Sequence, residues 1–357
     1  MERDFHHTAI YVLCRIAGMK SRYAEIVAYA SQQVDDAIYG HALKFENGEL
    51  FMQTCTSYRK LSPTLIDVND AIAVWTPFHF LPRGQQRDGS QLITSPHSRP
   101  MDLLLADVTE AGAELALYRL GIALHCYADA FAHQDFKGFY DQYNDIELVM
   151  GPDRGTILLN LKEKLINTIL NLPPIGHVQA FKNPDIPYAV WSYRRDNGQI
   201  KTIHNLEERV LPALTNIYSY LKDYLSLNNE YKSIDPITNF ANCRQKMLEL
   251  FKYRANSEKR HQNWLEKIHS NHFNFRDFDI VDTRLDYQAR SWFWEAVEPV
   301  KAKGSLNWIH HWFFNYYPFR KGSDFYQSHW VKFMRAAAEH QNRVVHHILP
   351  QCGIEVG

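Results

Sequence analysis

The chain lacks the features that would place it in several large protein classes. Its five cysteines (Cys14, Cys55, Cys126, Cys243 and Cys352) are odd in number, widely scattered and without a Cys-x-x-Cys pair. That pattern argues against both a disulfide scaffold and a thiolate zinc site. Apolar runs are short, so no membrane-spanning helix is expected. A formal net charge of −1 over 357 residues provides no basic field to draw nucleic acid or an acidic membrane, and no stable nucleic-acid partner is expected. The first residues, MERDFHHTAIYV, show no basic stretch followed by an apolar one; no secretory signal is read, and a cytoplasmic location is the expectation. Repeats, low-complexity tracts and clear linkers are also missing. Histidine, by contrast, is plentiful at 18 residues.

Residues 125–133 read HCYADAFAH and put His125, Asp129 and His133 at strict four-residue spacing. They close a helical pattern predicted over roughly 103–133. A four-residue step turns an α-helix by about 40°, so the three side chains share an arc of roughly 80°. At about 1.5 Å of rise per residue, His125 and His133 stand roughly 12 Å apart, each about 6 Å from Asp129. One ion cannot take both histidines. A central carboxylate can hold one ion with His125 and help place others towards His133, so the spacing points to a polynuclear metal site. The competing reading is a packing helix without metal, although buried imidazoles and carboxylates still need partners.

Elsewhere the periodicity is mostly helical. His6–Ala17 and Arg22–Tyr39 read as the first two helices, and later helical patterns cover about 156–171, 205–226, 236–269, 284–300 and 324–348. Asn47-Gly48 between the short alternating runs of LKFENGELFM predicts a β-hairpin. Residues 76–100 read as a loop, and 172–200, punctuated by Pro and Gly, as an ordered loop. The expected fold class is therefore all-α: a multi-helix bundle with one minor β-hairpin and additional C-terminal helices. Residues 1–200 are expected to form the metal-binding core, with 201–357 a helical extension packed on the same body.

Further metal-type residues lie at the edges of these elements. Asp4, His6 and His7 stand near the start, Asp35 and Asp36 end the second helix, His79 sits in WTPFHFLPRG, and His177 and Asp185 fall in GHVQAFKNPD. Singly, each has a plain explanation as a solvated helix face or a loop histidine. Together they form a set of carboxylates and imidazoles that suits zinc and its neighbours.

Order, spacing and flanking residues resemble the superfamily of bacterial zinc-dependent phospholipases C and fungal and plant zinc-dependent single-strand nucleases. FHHTAIYV resembles its first helix, with His6 followed five residues on by Tyr11; QQVDDA resembles its early aspartate at Asp35; FHFLP places His79 at its LHF-type histidine. Ala123-Leu124-His125, with Asp129 and His133, resembles its central helix. The likeness runs over roughly residues 1–140 and weakly to about 190, and a closer kinship with an uncharacterised bacterial branch fits the HCYADAFAHQDF helix. It implies an all-α zinc phospholipase C-like fold with a cleft holding one to three zinc ions. By similarity, Asp35, His79, His125 and Asp129 would gather one ion, and His6 with the other Asp129 oxygen a second. His133 and His177, with Asp185 as carboxylate, would hold a third. The family's mature chain begins with a tryptophan whose amine ligates zinc; this chain begins Met-Glu-Arg-Asp, so either Asp4 substitutes for it or that ion is missing. The family's closing carboxylate, four residues after a histidine, is replaced here by Phe181 after His177.

The chemistry implied is phosphoester hydrolysis, with Asp35 or Asp36 orienting the attacking water or accepting its proton. Arg83, close after His79, reads first as a solvated loop arginine and second as a phosphate contact. A non-catalytic metal-binding protein with an interaction role is the alternative function. An HD phosphohydrolase fits worse, because no His-Asp dipeptide occurs. The substrate, whether phospholipid, nucleic acid or small phosphoester, is not ranked by the sequence.

Overall fold

The computed structural model describes residues 1–58, 71–85, 90–149, 173–233, 239–300 and 319–356. The predicted helix over 156–171 lies outside them. The chain starts on a π-helical segment, Asp4–Ala9, that runs into α1 (Ile10–Ala17). Gly18, at φ 109°, ends α1: its own N–H bonds to the Arg15 carbonyl, and the Met19 N–H bonds to that of Cys14. This paired closure needs a left-handed residue, which glycine adopts without strain. The chain then enters α2 (Ser21–Asp36), which carries Asp35 and Asp36 on its last turn.

The long helix predicted over 103–133 is two helices, α3 (Arg99–Thr109) and α4 (Ala116–Ala132). The break falls in Glu110–Leu115, whose Gly112 weakens helical continuity. Every residue of α4 is buried, so this helix forms the axis of the molecule. α2 packs along it at unusually short range. A Cβ on Gly121 of α4 would stand 2.5 Å from the Val27 carbonyl oxygen and 2.7 Å from the Ala30 Cβ. Glycine at 121 is what lets the two backbones approach. α5 (Leu211–Leu227) and α8 (His329–Arg343) pack on α4, while α7 (Ser257–His269) packs on the π-helical start and α6 (Phe240–Phe251) on α7. The pattern read as one helix over 236–269 breaks between α6 and α7, and that over 284–300 shrinks to Ser291–Ala296. Residues from Met1 to Leu349 share one hydrophobic core, so both halves of the chain build it.

The molecule is mostly helical, but it has more β-structure than the single expected hairpin. That hairpin forms as β1 (Ala42–Lys44) and β2 (Leu50–Met52), with Gly48 at φ 84° in its turn. A second antiparallel sheet joins β3 (Glu147–Val149), β4 (Val190–Arg194) and β5 (Ile200–His204), and a third pairs β6 (Val297–Pro299) with β7 (Phe319–Lys321). The ordered loop expected over 172–200 therefore contains a strand. Its Pro- and Gly-rich start hid an Asn197-Gly198 turn, with Gly198 at φ 75°, and the alternating buried Trp191 and Tyr193. This sheet backs a satellite core of Phe80, Phe136, Trp191 and Tyr193. Among the described residues, no helix is long and apolar enough to cross a membrane.

Candidate metal centre

Four separate elements bring the metal-type residues together around the C-terminal half of α4. The π-helical start supplies His6, the end of α2 Asp35, the residue after the short helix Thr76–Phe78 His79, and α4 itself His125 and Asp129. His133 caps α4, and His177 and Asp185 come from the turns before β4. They fall into three groups, each with ligand atoms within 4.8 Å of one another: His6, His125 and Asp129; Asp35, His79 and His125; and His133, His177 and Asp185.

The outer nitrogens of the imidazoles reveal how the rings are set. His125 Nδ1 donates to the Ser31 carbonyl (2.8 Å), His79 Nε2 to that of Thr56 (2.9 Å), His133 Nδ1 to that of His79 (2.9 Å), and His177 Nδ1 to that of Phe181 (2.9 Å). A carbonyl only accepts, so each of these nitrogens carries the proton. The inner nitrogen of a neutral ring then presents a bare lone pair. His79 Nδ1 and His125 Nε2 face each other at 3.2 Å, and both face Asp129 Oδ2, at 2.9 and 3.2 Å. His133 Nε2 likewise faces Asp185 Oδ1 at 3.1 Å. Lone pairs gathered in this way repel unless a proton or a cation lies among them: the Met1 ammonium meets Asp129 and Asp185, and against the effect of burial Asp129 and Asp35 raise the His79 ring. Carbonyl-oriented imidazoles turned towards carboxylates are the usual outer-shell arrangement of metal-ligating histidines.

The electrostatics follow from the same geometry. Burial by itself would raise the Asp129 carboxyl, yet the Met1 amine together with His133, His125 and His6 holds it well below the usual carboxylate range. Asp185 behaves alike: against the effect of burial, the Met1 amine, His177 and His133 keep it low. Burial pushes His177 down to about 4. The Met1 nitrogen lies 2.5 Å from Asp129 Oδ1 and 3.1 Å from Asp185 Oδ1. Burial opposes its charge, but these two carboxylates hold it up at about 11. The depth is graded. Side-chain exposure is 0% for His6 and His125 and 2% for Asp129, against 33% for Asp35, 19% for His177 and 16% for Asp185. Solvent therefore reaches the groups at Asp35 and at the His177–Asp185 end.

Two expected members stand apart. Asp4 is fully buried but pairs with Arg260, whose Nε reaches Asp4 Oδ2 at 2.7 Å and whose Nη2 reaches Oδ1 at 3.2 Å. A buried guanidinium needs that carboxylate, so Asp4 joins none of the three groups. Asp36 accepts from the Tyr287 hydroxyl (2.6 Å) and from Gln32 Nε2 (3.3 Å), and it too lies outside them. Arg83 is elsewhere, in a pocket across α4.

Several contributors had little or no signal in the sequence. Phe181, whose side chain took the place of an expected carboxylate, offers its carbonyl to His177 from a backbone at φ 53°, ψ −127°. A non-glycine residue held in that region is strained, and such strain persists where the surroundings fix it. Phe80 stacks on His133 with ring centroids 4.5 Å apart. It is clamped from behind: a Cβ on Gly138 would meet the Phe80 Cβ at 2.8 Å, and one on Gly176 its Cζ at 2.7 Å. The glycine before His177 was a visible hint; the carbonyls of Ser31, Thr56 and Phe181 left none.

No curated protein matches the chain, and no solved structure does. A family model described as a family of unknown function (DUF6765) matches residues 1–348. With nearly the whole chain spanned, the protein belongs to the DUF6765 family.

Proposed function

We propose that this protein is a metal-dependent hydrolase of phosphoesters, working through a polynuclear zinc site, as the resemblance to zinc phospholipases C and single-strand nucleases implies. The observation that supports it best is the set of four imidazoles turned by backbone carbonyls so that their free nitrogens converge on Asp129, Asp35 and Asp185. Nitrogen and carboxylate donors without thiolate suit zinc. Asp35, His79 and His125 with Asp129 Oδ2 would hold one ion, His6 with Asp129 Oδ1 a second, and His133, His177 and Asp185 a third.

Zinc bound there would lower the pKa of a coordinated water from about 15.7 towards 7 and offset the charge of a phosphoester. The chain's own residues do the rest. Asp35 is the most exposed carboxylate of the groups, so it meets water and substrate first and takes the role of proton acceptor. Asp36, tied to Tyr287, holds the end of α2 and so the direction of Asp35. The buried His6, His125 and Asp129 fix the floor of the site and exclude bulk water from it.

Elemental analysis of purified protein, paired with an assay on bis(p-nitrophenyl) phosphate, tests the reading. One to three equivalents of zinc with chelator-sensitive hydrolysis are expected. Bound zinc without turnover of any phosphodiester would favour the non-catalytic metal-binding alternative, and absence of metal would remove the mechanism.

A further inference from the structure

Across α4 from the metal centre lies a pocket of about 530 Å³ lined by Arg83, Gln85, Ser95, His97, Ser98, Arg99, Gln351 and Cys352. His97 packs edge-on against Phe131 with centroids 5.6 Å apart. Phe131 follows Asp129 by two residues, a turn of roughly 200°, so the pocket and the metal ligands occupy opposite sides of one helix. The volume falls within the range of about 300–1,000 Å³ typical of small-molecule sites.

The lining is cationic and contains no carboxylate. Arg83 spends one nitrogen on the Ser90 hydroxyl at 3.3 Å, and among the described residues neither Arg83 nor Arg99 pairs with an acid. The walls are built rather than incidental. The Gln85 N–H bonds to the Cys352 carbonyl at 2.7 Å, and the Arg83 and Gly84 N–H groups bond to Ile93 and Gln91. Gly84, at φ 81°, sits where a Cβ would be 3.0 Å from that of Cys352 and 3.2 Å from the Pro100 ring. Three distant stretches of chain are thus locked together to bring two guanidinium groups, an imidazole and two hydroxyls to one cavity.

We infer that this pocket binds the phosphoryl group of a small phosphorylated molecule. Arginine's planar fork matches a phosphate oxyanion with paired hydrogen bonds, and among the described residues neither the half-buried Arg83 nor the exposed Arg99 spends its fork on a carboxylate. Ser98 and His97 add donors, and Gln85 and Gln351 can read polar groups attached to the phosphate. The site is independent of the metal centre and of the hydrolase reading.

Calorimetric titration with inorganic phosphate at fixed ionic strength tests it, using sodium chloride as the matched control anion. Saturable binding of one phosphate per chain is expected in protein whose metal centre has been emptied with a chelator. Arg83→Gln and Arg99→Gln should each weaken it by about tenfold or more, as expected for charge-assisted bonds. Arg99→Lys should retain part of it. Asp129→Asn, placed across α4 from the pocket, should leave this binding intact below its melting range. Circular dichroism melts of each variant separate lost binding from lost folding. Failure of phosphate to saturate, equal binding in the double Arg83→Gln/Arg99→Gln variant, or loss of binding in Asp129→Asn alone would overturn the assignment.

Discussion

Asp129 faces four imidazoles and the Met1 amine. Its two oxygens point in different directions, Oδ1 to His6 and Oδ2 to His79 and His125. Each imidazole offers one lone pair to one ion; this carboxylate can serve two. Asp129→Asn keeps the size but removes the charge and the bridging capacity. It is expected to lose at least as much bound metal, and as much phosphodiesterase activity, as His133→Ala. It should also lower the thermal midpoint, because a ligand that binds only the folded state stabilises it. Plasma emission analysis and calorimetry on the three proteins check this. Equal metal content and melting in wild type and Asp129→Asn would mean that the helix is packing alone.

At the level of elements, the site depends on how closely α2 lies against α4. A Cβ at Gly121 would fall not only on Val27 and Ala30 but also 3.0 Å from the Ser31 backbone nitrogen. The Ser31 carbonyl is the acceptor that orients His125. Gly121→Ala would gain about 1 kcal/mol in helix propensity, yet overpacking of a tight contact costs roughly 1–3 kcal/mol. The clash wins. The expected result is a midpoint lower by a few degrees and weaker zinc retention against a competing chelator. A midpoint equal to or above that of wild type would show that α2 can shift without disturbing the site.

Across the whole molecule, stability should depend steeply on pH on the acid side. His340 is fully buried on α8, its Nε2 donating to the Pro77 carbonyl at 2.8 Å. Burial lowers it from 6.5 to about 4. Burial lowers His261 to about 4 as well, and His7, bonded to His261 at 3.0 Å, falls well below its ordinary value. For each, the unfolded chain binds a proton that the folded one refuses. Their contribution is complete above about pH 6.5, and it is lost as pH falls from there towards 4. His340 alone accounts for roughly 3 kcal/mol across that window. Denaturant titrations between pH 7 and 4.5 should show falling stability, with a shallower slope in His340→Gln. A flat profile would mean that these rings are protonated in the fold.

The sequence by itself determined the periodic parts: the first two helices, the Asn47-Gly48 hairpin, the helix over 205–226 and the set of residues that converge. Side chains four apart on one helix must share a face, so His125 and Asp129 could be paired from spacing alone. It did not separate α3 from α4, find the strand β4 behind a glycine- and proline-rich preface, or remove Asp4 from the metal set. Those outcomes depend on partners far away in the chain. Asp4 belongs to Arg260 because a guanidinium is buried beside it, and Asp36 is occupied by Tyr287. Which nitrogen of each histidine faces inward is likewise a tertiary decision, made by the carbonyls of Ser31, Thr56, His79 and Phe181. Spacing fixes what a helix presents. Only packing across distant segments fixes what that face meets, because the energy of a buried polar group is set by the partner it finds.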